Sequence, residues 1–402
     1  MGSKWAIYND FILENKDRSK SDIARMIYTE FGLDPSTFQA LRNYIKRFLN
    51  RTDNSAIEQY CEANGIPVSK VDGYWHKGEY NGVNMSVRIS EDSESPLTTE
   101  DIQDTVREIL SDYKPLEVRS NDIAFESALK VVLSDIHVGL DPNPNGKSLF
   151  SYEYNADIFN KNLNSVYDSI IQEYRENGTF ELFVLDDLGD GLDGWNGQTT
   201  RGGHQLEQNM DNKVAFDTYV KGKYHLIRRI LESGVAKKYV IRSVSNCNHS
   251  GDFGWIANKT VQYMIECSGA ENVEFALLEK FMEHFVWGDH CFILTHGKDN
   301  KHMKRGLPLV LNDRTINFIN DYIDHYNIRS KYVHVEKGDL HQVGYQRTRK
   351  FDYRNYMTFA PPSAWVQHNF GDSYSGYSVQ IVPKYSNTIK HSDIFFEMKK
   401  TT

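Results

Sequence analysis

Along the first fifty positions apolar residues recur at helical spacing. Ile23, Met26, Ile27 and Phe31 predict one helix, with Ser21 as N-cap and Gly32 as stop. A second helix opens near Asp34 and Pro35 and gathers Leu41, Tyr44, Ile45, Phe48 and Leu49 on one face, with Arg42, Lys46, Arg47 and Arg51 elsewhere. Two helices joined by a glycine-containing turn, the second of them basic, predict a helix-turn-helix-like domain over 1–53 and a possible DNA contact. A small bundle with a solvated basic face is the competing reading. Over 54–127 the pattern predicts a hairpin (Gly73 to His76 and Val83 to Ile89 about Asn81-Gly82) and an acidic linker from Ser90 to Pro96. A helix from Thr99 to Tyr113 follows, with Thr98 and Asp101 forming its capping box.

From 128 to 402 the pattern becomes buried-type strands separated by amphipathic helices, the signature of an α/β domain. Strands are predicted at Leu129–Leu133, Leu182–Leu185, Tyr239–Val244, Cys291–Leu294 and Tyr332–Val335, and helices at Tyr154–Glu176 and Glu207–Ser233. Ligands of such sheets bind beyond the carboxyl ends of the strands. Here each strand exits into a cluster of polar, potentially reactive residues.

The 402 residues carry 46 basic and 55 acidic side chains, a net charge of −9, which argues against coating nucleic acid by bulk charge. No run approaches a membrane span and no signal peptide is legible at the amino terminus, so a cytoplasmic protein is expected, in the host cytoplasm if the gene is a phage's. The four cysteines form no CxxC pair, so no zinc knuckle is indicated.

The strand exits read, in order, Asp135-Ile136-His137, Gly189-Asp190-Gly191-Leu192-Asp193, Cys247-Asn248-His249-Ser250, His296-Gly297 and Gly338-Asp339-Leu340-His341. Carboxylates, imidazoles and one carboxamide are donors that borderline divalent metals accept. In extended backbone Asp135 and His137 would point to one side, with Ile136 turned inward. Glycines on both sides of Asp190 let the backbone approach an ion closely.

This ordered set resembles the calcineurin-like metallophosphoesterases, over roughly the last two-thirds of the chain. The resemblance implies a sandwich of two mixed β-sheets flanked by helices, with the small helical domain ahead of it. It implies one metal held by Asp135, His137, Asp190 and His341, and a second held by Asp190, Asn248, His296 and Asp339. Water activated between them would attack phosphorus while His249 acts as general acid. Three positions depart from the family pattern: Cys247 for glycine, Ser250 for the acid that orients the catalytic histidine, and Asp339 for histidine. Asp252 is expected to take over the orienting role. The extra carboxylate at Asp339 favours manganese or magnesium over zinc, with iron a further candidate.

The loop Gln198 to His204 combines hydroxyls, a guanidinium and an imidazole, so Arg201 and His204 are candidate phosphate contacts, weighed against a plain exposed turn. Lys298, Lys301, His302, Lys304 and Arg305 form either a polyanion path or a solvated basic loop. Asn145 to Ser148 lacks the first glycine of a P-loop and reads as a turn. Tyr353, Tyr356, Trp365, Phe370, Tyr374 and Tyr377 read as packing of the closing sheet. The expected function is a two-metal phosphoesterase acting on a phosphodiester, most readily in DNA as on the nuclease side of the family, in phage or bacterial repair proteins. The alternatives are a phosphomonoesterase acting on phosphoproteins or small phosphates, and a catalytically impaired DNA-binding or scaffold protein.

Overall fold

The computed structural model describes residues 6–31, 38, 41–45, 74–80, 83–89, 98–111, 123–270, 272–299, 301 and 306–397. The chain divides into two units, Met1–Glu94 and Ser95–Thr402. In the first, α1 (Asn9–Glu14) and α2 (Lys20–Phe31) bury Tyr8, Ile12, Ile23, Ala24 and Ile27 against Leu41 and Ile45 of the helical residues 41–45. The cap of α2 is Ser19 rather than Ser21, because the Ser19 hydroxyl accepts the Asp22 amide at 3.1 Å and donates to the Asp22 carboxylate at 2.7 Å. Gly32, Asp34, Pro35, Lys46, Arg47, Phe48, Leu49 and Arg51 lie outside the described residues. The hairpin pairs β1 (Tyr74–Tyr80) with β2 (Val83–Ile89) in antiparallel register, Tyr80 opposite Val83; its turn and the Ser90 to Pro96 linker are also outside.

The second unit opens with α3 (Thr99–Ser111), whose capping box forms as expected: Thr98 N donates to Asp101 Oδ2 at 2.9 Å, and Asp101 N to Thr98 Oγ1 at 3.1 Å. Two mixed sheets follow. The larger comprises β3 (Ile123–Leu133), β4 (Thr179–Asp187), β5 (Ala236–Val244), β6 (Val273–Leu278), β12 (Gly376–Pro383) and β13 (Lys390–Phe395), in the order β13-β12-β3-β4-β5-β6. β3 to β6 run parallel, and the other two join antiparallel. The smaller comprises β7 (Glu283–Trp287), β8 (His290–Thr295), β9 (Tyr332–Lys337), β10 (Gly344–Arg347) and β11 (Asp352–Asn355), in the order β10-β11-β9-β8-β7.

The period-two alternation of β3 explains the layering. Leu129, Val131 and Leu133 pack toward α4 (Ala156–Asn177), α5 (Asn212–Ser233) and α6 (Gly251–Cys267), while Ala128 and Val132 face the second sheet. β8 alternates likewise: Cys291 and Ile293 pack with Ile319 and Ile323 of α7 (Asp313–His325), while Phe292 and Leu294 face the first sheet. The result is a helix–sheet–sheet–helix sandwich, as expected. α5 begins at Asn212 rather than Glu207, because Asp211 caps it by accepting the Val214 amide at 2.6 Å and residues 207–209 pair with the chain beyond His137. A buried polar network bridges the sheets: Lys130 Nζ lies 2.6 Å from Glu336 Oε2 and 3.2 Å from Asp186 Oδ2, and Arg242 meets Asp186 with two bonds of 2.7 Å. Among the described residues no helix is long and apolar enough to cross a membrane.

Candidate metal centre

The exits of β3, β4, β5, β8 and β9 bring the predicted residues together at one end of the sandwich. Asp135, His137 and His341 each offer a donor atom within 4.8 Å of the others; so do Asp135, Asp190 and His296, and so do His137, Asp190 and His249. The convergence does not come from strand alternation. Asp135, His137, Asp190, Asp339 and His341 all have left-handed backbone, with φ of 53°, 45°, 51°, 73° and 53°. Non-glycine residues there cost of order 1–3 kcal/mol each and persist only where the surroundings impose them. The surroundings do so through backbone bonds across motifs: Asp135 N to Gly189 O at 3.1 Å, His137 N to Asp190 O at 2.8 Å, and Gly338 N to His296 O at 3.2 Å.

Asp135 and Asp190 each have one oxygen bonded by its neighbours and one that faces the cluster. Asp135 Oδ2 accepts the Ser134 hydroxyl and the Asp339 amide, leaving Oδ1 3.4 Å from His341 Nε2 and 3.8 Å from His137 Nε2. Asp190 Oδ1 accepts the His249 amide at 3.2 Å, and Oδ2 stands 2.9 Å from His296 Nε2. His296 Nδ1 donates to the Leu188 carbonyl at 2.9 Å, which turns the lone pair of Nε2 inward. Asp339 Oδ1 is 3.9 Å from His296 Nε2. His137 and His341 bring their Nε2 atoms to 3.3 Å. Asp135 Oδ1, Asn248 Oδ1 and His296 Nε2 are buried without an aligned hydrogen bond. Buried polar atoms left this way are costly unless something else engages them, and here Asp135 and His296 belong to one donor cluster. The donor set therefore fits two divalent cations.

Burial opposes the charges of Asp135, Asp190, His249 and His296, and the neighbours outweigh it. His341 first, then His296 and His137, hold Asp135 below the ordinary carboxylate range, and His296 and His249 do the same for Asp190. Conversely Asp190 and Asp193 push His249 up to about 9 against the desolvation of its ring, and Asp190 and Asp135 push His296 up to about 10. A cation would replace the proton on His296 as the charge that balances the carboxylates.

Two residues absent from the sequence reading of the site belong to its frame. Asp193 Oδ1 lies 2.9 Å from His137 Nδ1 and 3.6 Å from His249 Nδ1. Asp252, expected to orient His249, is exposed in the first turn of α6, so the carboxylate facing His249 is Asp193. The signal was the second aspartate of Gly189-Asp190-Gly191-Leu192-Asp193. Lys337 is fully buried behind Gly297 and donates to Gly338 O at 2.7 Å; burial lowers it to about 8 despite Asp339 and Asp135. Ser250 is buried against Cys247, Oγ to Sγ 3.1 Å, and among the described residues bonds to no imidazole.

The Arg201 loop acts on the Asn248-His249 segment directly. Thr200 N donates to His249 O at 2.9 Å and Arg201 N to Asn248 O at 3.0 Å, while the Arg201 guanidinium is engaged by Asp299, Nη1 to Oδ1 at 3.1 Å. His204 is exposed. Lys298 is half-buried and Lys301 exposed; His302, Lys304 and Arg305 lie outside the described residues. Asn145 to Ser148 is a turn, as expected, with Asn145 at φ 54°. The aromatic group divides: Tyr353, Tyr356 and Tyr377 are buried, but Trp365, Phe370 and Tyr374 are exposed, because the short helix α8 (Ala364–Phe370) and the loop after it lie outside the sheets.

No protein-family model matches the chain, and no curated protein sequence does. Among solved structures it is similar to Vps29 of Entamoeba histolytica complexed with zinc (9% identity over 66% of this chain and 98% of that one, TM-score 0.28). A novel archaeal phosphodiesterase (8%, 67% and 99%, TM-score 0.31) and a predicted phosphoesterase of Streptococcus pneumoniae (11%, 67% and 99%, TM-score 0.25) are similar at the same level. At these values the likeness assigns no activity to this chain, whose chemistry rests on its own residues.

Proposed function

We propose that the chain is a metal-dependent phosphoesterase of the calcineurin-like type that hydrolyses a phosphodiester. The observation that carries this is the convergence of Asp135, His137, Asp190, His296 and His341 from separate strand ends, with buried donor atoms left unengaged. Asp135, His137, Asp190 and His341 would hold one divalent cation, and Asp190, Asn248, His296 and Asp339 the other. When bound, such a pair polarises a phosphoryl oxygen and lowers the pKa of water at neutral pH. The three aspartates among these ligands favour manganese or magnesium.

The chain's own part is orientation and proton supply. Asp190 fixes His249 through its backbone amide, and Asp193 faces Nδ1, so that Nε2 is the atom available to protonate the leaving oxygen. The Arg201 loop holds the Asn248-His249 peptide carbonyls and so sets where that ring stands. DNA is the proposed substrate, supported by the basic amino-terminal helical segment of the sequence.

Purified protein with manganese should cleave bis-p-nitrophenyl phosphate and single- or double-stranded DNA. Asp190→Ala should abolish both, and His249→Ala should lose turnover while retaining manganese. Hydrolysis of p-nitrophenyl phosphate but not its bis ester would replace the diester by a monoester. Inactivity on every ester with manganese bound would leave only a metal-binding scaffold.

A further inference from the structure

Behind the Asp190 turn lies a buried polar cluster that none of the roles above uses. Lys223 of α5 is 3% exposed, and its Nζ shares its three protons among four acceptors: Asp187 Oδ2, then Tyr219 Oη and Ser243 Oγ at 2.9 Å each, and Asn258 Oδ1 at 2.7 Å. The Tyr219 hydroxyl is itself 2.8 Å from both Asp187 Oδ2 and Asn258 Oδ1. The other carboxylate oxygen, Asp187 Oδ1, accepts the Gly189 amide at 3.0 Å. On the far side of the turn the Tyr219 ring lies against Gly191, where an added Cβ would stand 2.7 Å from ring carbons.

Asp190 is therefore clamped on both flanks by one cluster, Gly189 through Asp187 and Gly191 through Tyr219. The same ammonium ties in Ser243, near the end of β5, and Asn258 in α6, the two elements that bracket Asn248 and His249. Burying an ammonium and a carboxylate is a poor way to gain stability, since an apolar pair of similar volume packs there at no desolvation cost. What the ion pair provides is a fixed direction for each bond. Ligand-orienting partners of this kind set metal affinity.

We propose that Lys223, Asp187 and Tyr219 are positioning residues, fixing the left-handed Asp190 turn in the geometry that binds the cation pair. The proposal rests on the metal-centre reading above. The test titrates manganese into the full-length protein by calorimetry and records the manganese electron paramagnetic resonance spectrum, for the wild type, Lys223→Met and Tyr219→Phe. Ile227→Ala serves as control, a fully buried residue of the same helix with no bond to the turn.

Wild type should bind two ions with an exchange-coupled spectrum. Lys223→Met should lose about tenfold or more in manganese affinity, and Tyr219→Phe should lose in the same direction, each with a weakened coupled signal. Ile227→Ala should melt earlier and bind as wild type. Should Lys223→Met not fold, Tyr219→Phe decides alone, since it removes one hydroxyl and keeps the ring on Gly191. Undiminished affinity and coupling in Tyr219→Phe overturns the positioning role and leaves the metal centre standing. A wild type that takes up no manganese overturns both.

Discussion

Asp193 presents one carboxylate oxygen to two imidazoles, 2.9 Å from His137 Nδ1 and 3.6 Å from His249 Nδ1. A carboxylate so placed biases the proton of each ring toward Nδ1 and frees both Nε2 atoms for the cluster. Asp193→Asn should therefore lower turnover by about 10- to 100-fold and weaken manganese binding through His137. Asp252→Asn should change neither, because that side chain stands in solvent. Steady-state kinetics on bis-p-nitrophenyl phosphate with a manganese titration separates the two. Equal losses in both variants would return the orienting role to Asp252.

The raised histidines make stability depend on pH in a defined direction. His249 at about 9 and His296 at about 10 sit above the 6.5 of a free imidazole, so the fold holds their protons more tightly than the unfolded chain does. Their contribution is complete below about pH 6.5 and is lost as pH rises through about 9 to 10. Chelator-treated protein should melt at progressively lower temperature across that window. Manganese takes the place of the proton on its ligand His296, so its affinity should rise with pH and its binding should release protons. Calorimetry in buffers of different ionisation enthalpy counts them. No proton release would mean that His296 is not titrated by the metal.

The five strands that lead into the site and the chemistry at their ends were legible because a buried parallel sheet writes short apolar runs, and each run here stops at a polar cluster. The helix starts were less legible. Both Ser19 and Ser21 precede the apolar stripe of α2, and only the bond to the Asp22 amide selects Ser19. The orienting role of Asp193 and the contacts of Lys223 were illegible for a different reason. Their partners, His249 and Asp187, lie far along the chain, and no spacing rule brings them together. The extended reading of Asp135-Ile136-His137 failed because the left-handed conformations are imposed by bonds from Gly189 and Asp190, which belong to another strand's exit.

The network between the sheets carries its own prediction. Lys130, Asp186 and Glu336 side chains are 1%, 0% and 3% exposed, and Tyr356 adds a hydroxyl bond to Glu336 at 2.7 Å. Removing the ammonium in Lys130→Met strands the Glu336 carboxylate in the sandwich interior, while Arg242 still answers Asp186. Breaking a buried pair in this way costs about 3–5 kcal/mol. Urea unfolding should show that loss. A change below about 1 kcal/mol would mean that water reaches this layer.

Gly338 tests how tightly the centre is built. A Cβ at this position would collide with the Ser134 hydroxyl and stand 2.8 Å from Asp135 Oδ2, two atoms already committed to each other. Neither can yield cheaply: Ser134 is buried at the end of β3, and Asp135 Oδ2 also takes the Asp339 amide at 3.2 Å. Gly338→Ala must therefore push the Asp339-Leu340-His341 segment away from Asp135 and separate His341 from the other donors. The domain core lies elsewhere, so the variant should fold with a circular dichroism spectrum like wild type while losing manganese affinity by about tenfold or more, the scale of a displaced ligand shell. Tight binding of two manganese ions by Gly338→Ala would show that the last motif does not contribute to the centre.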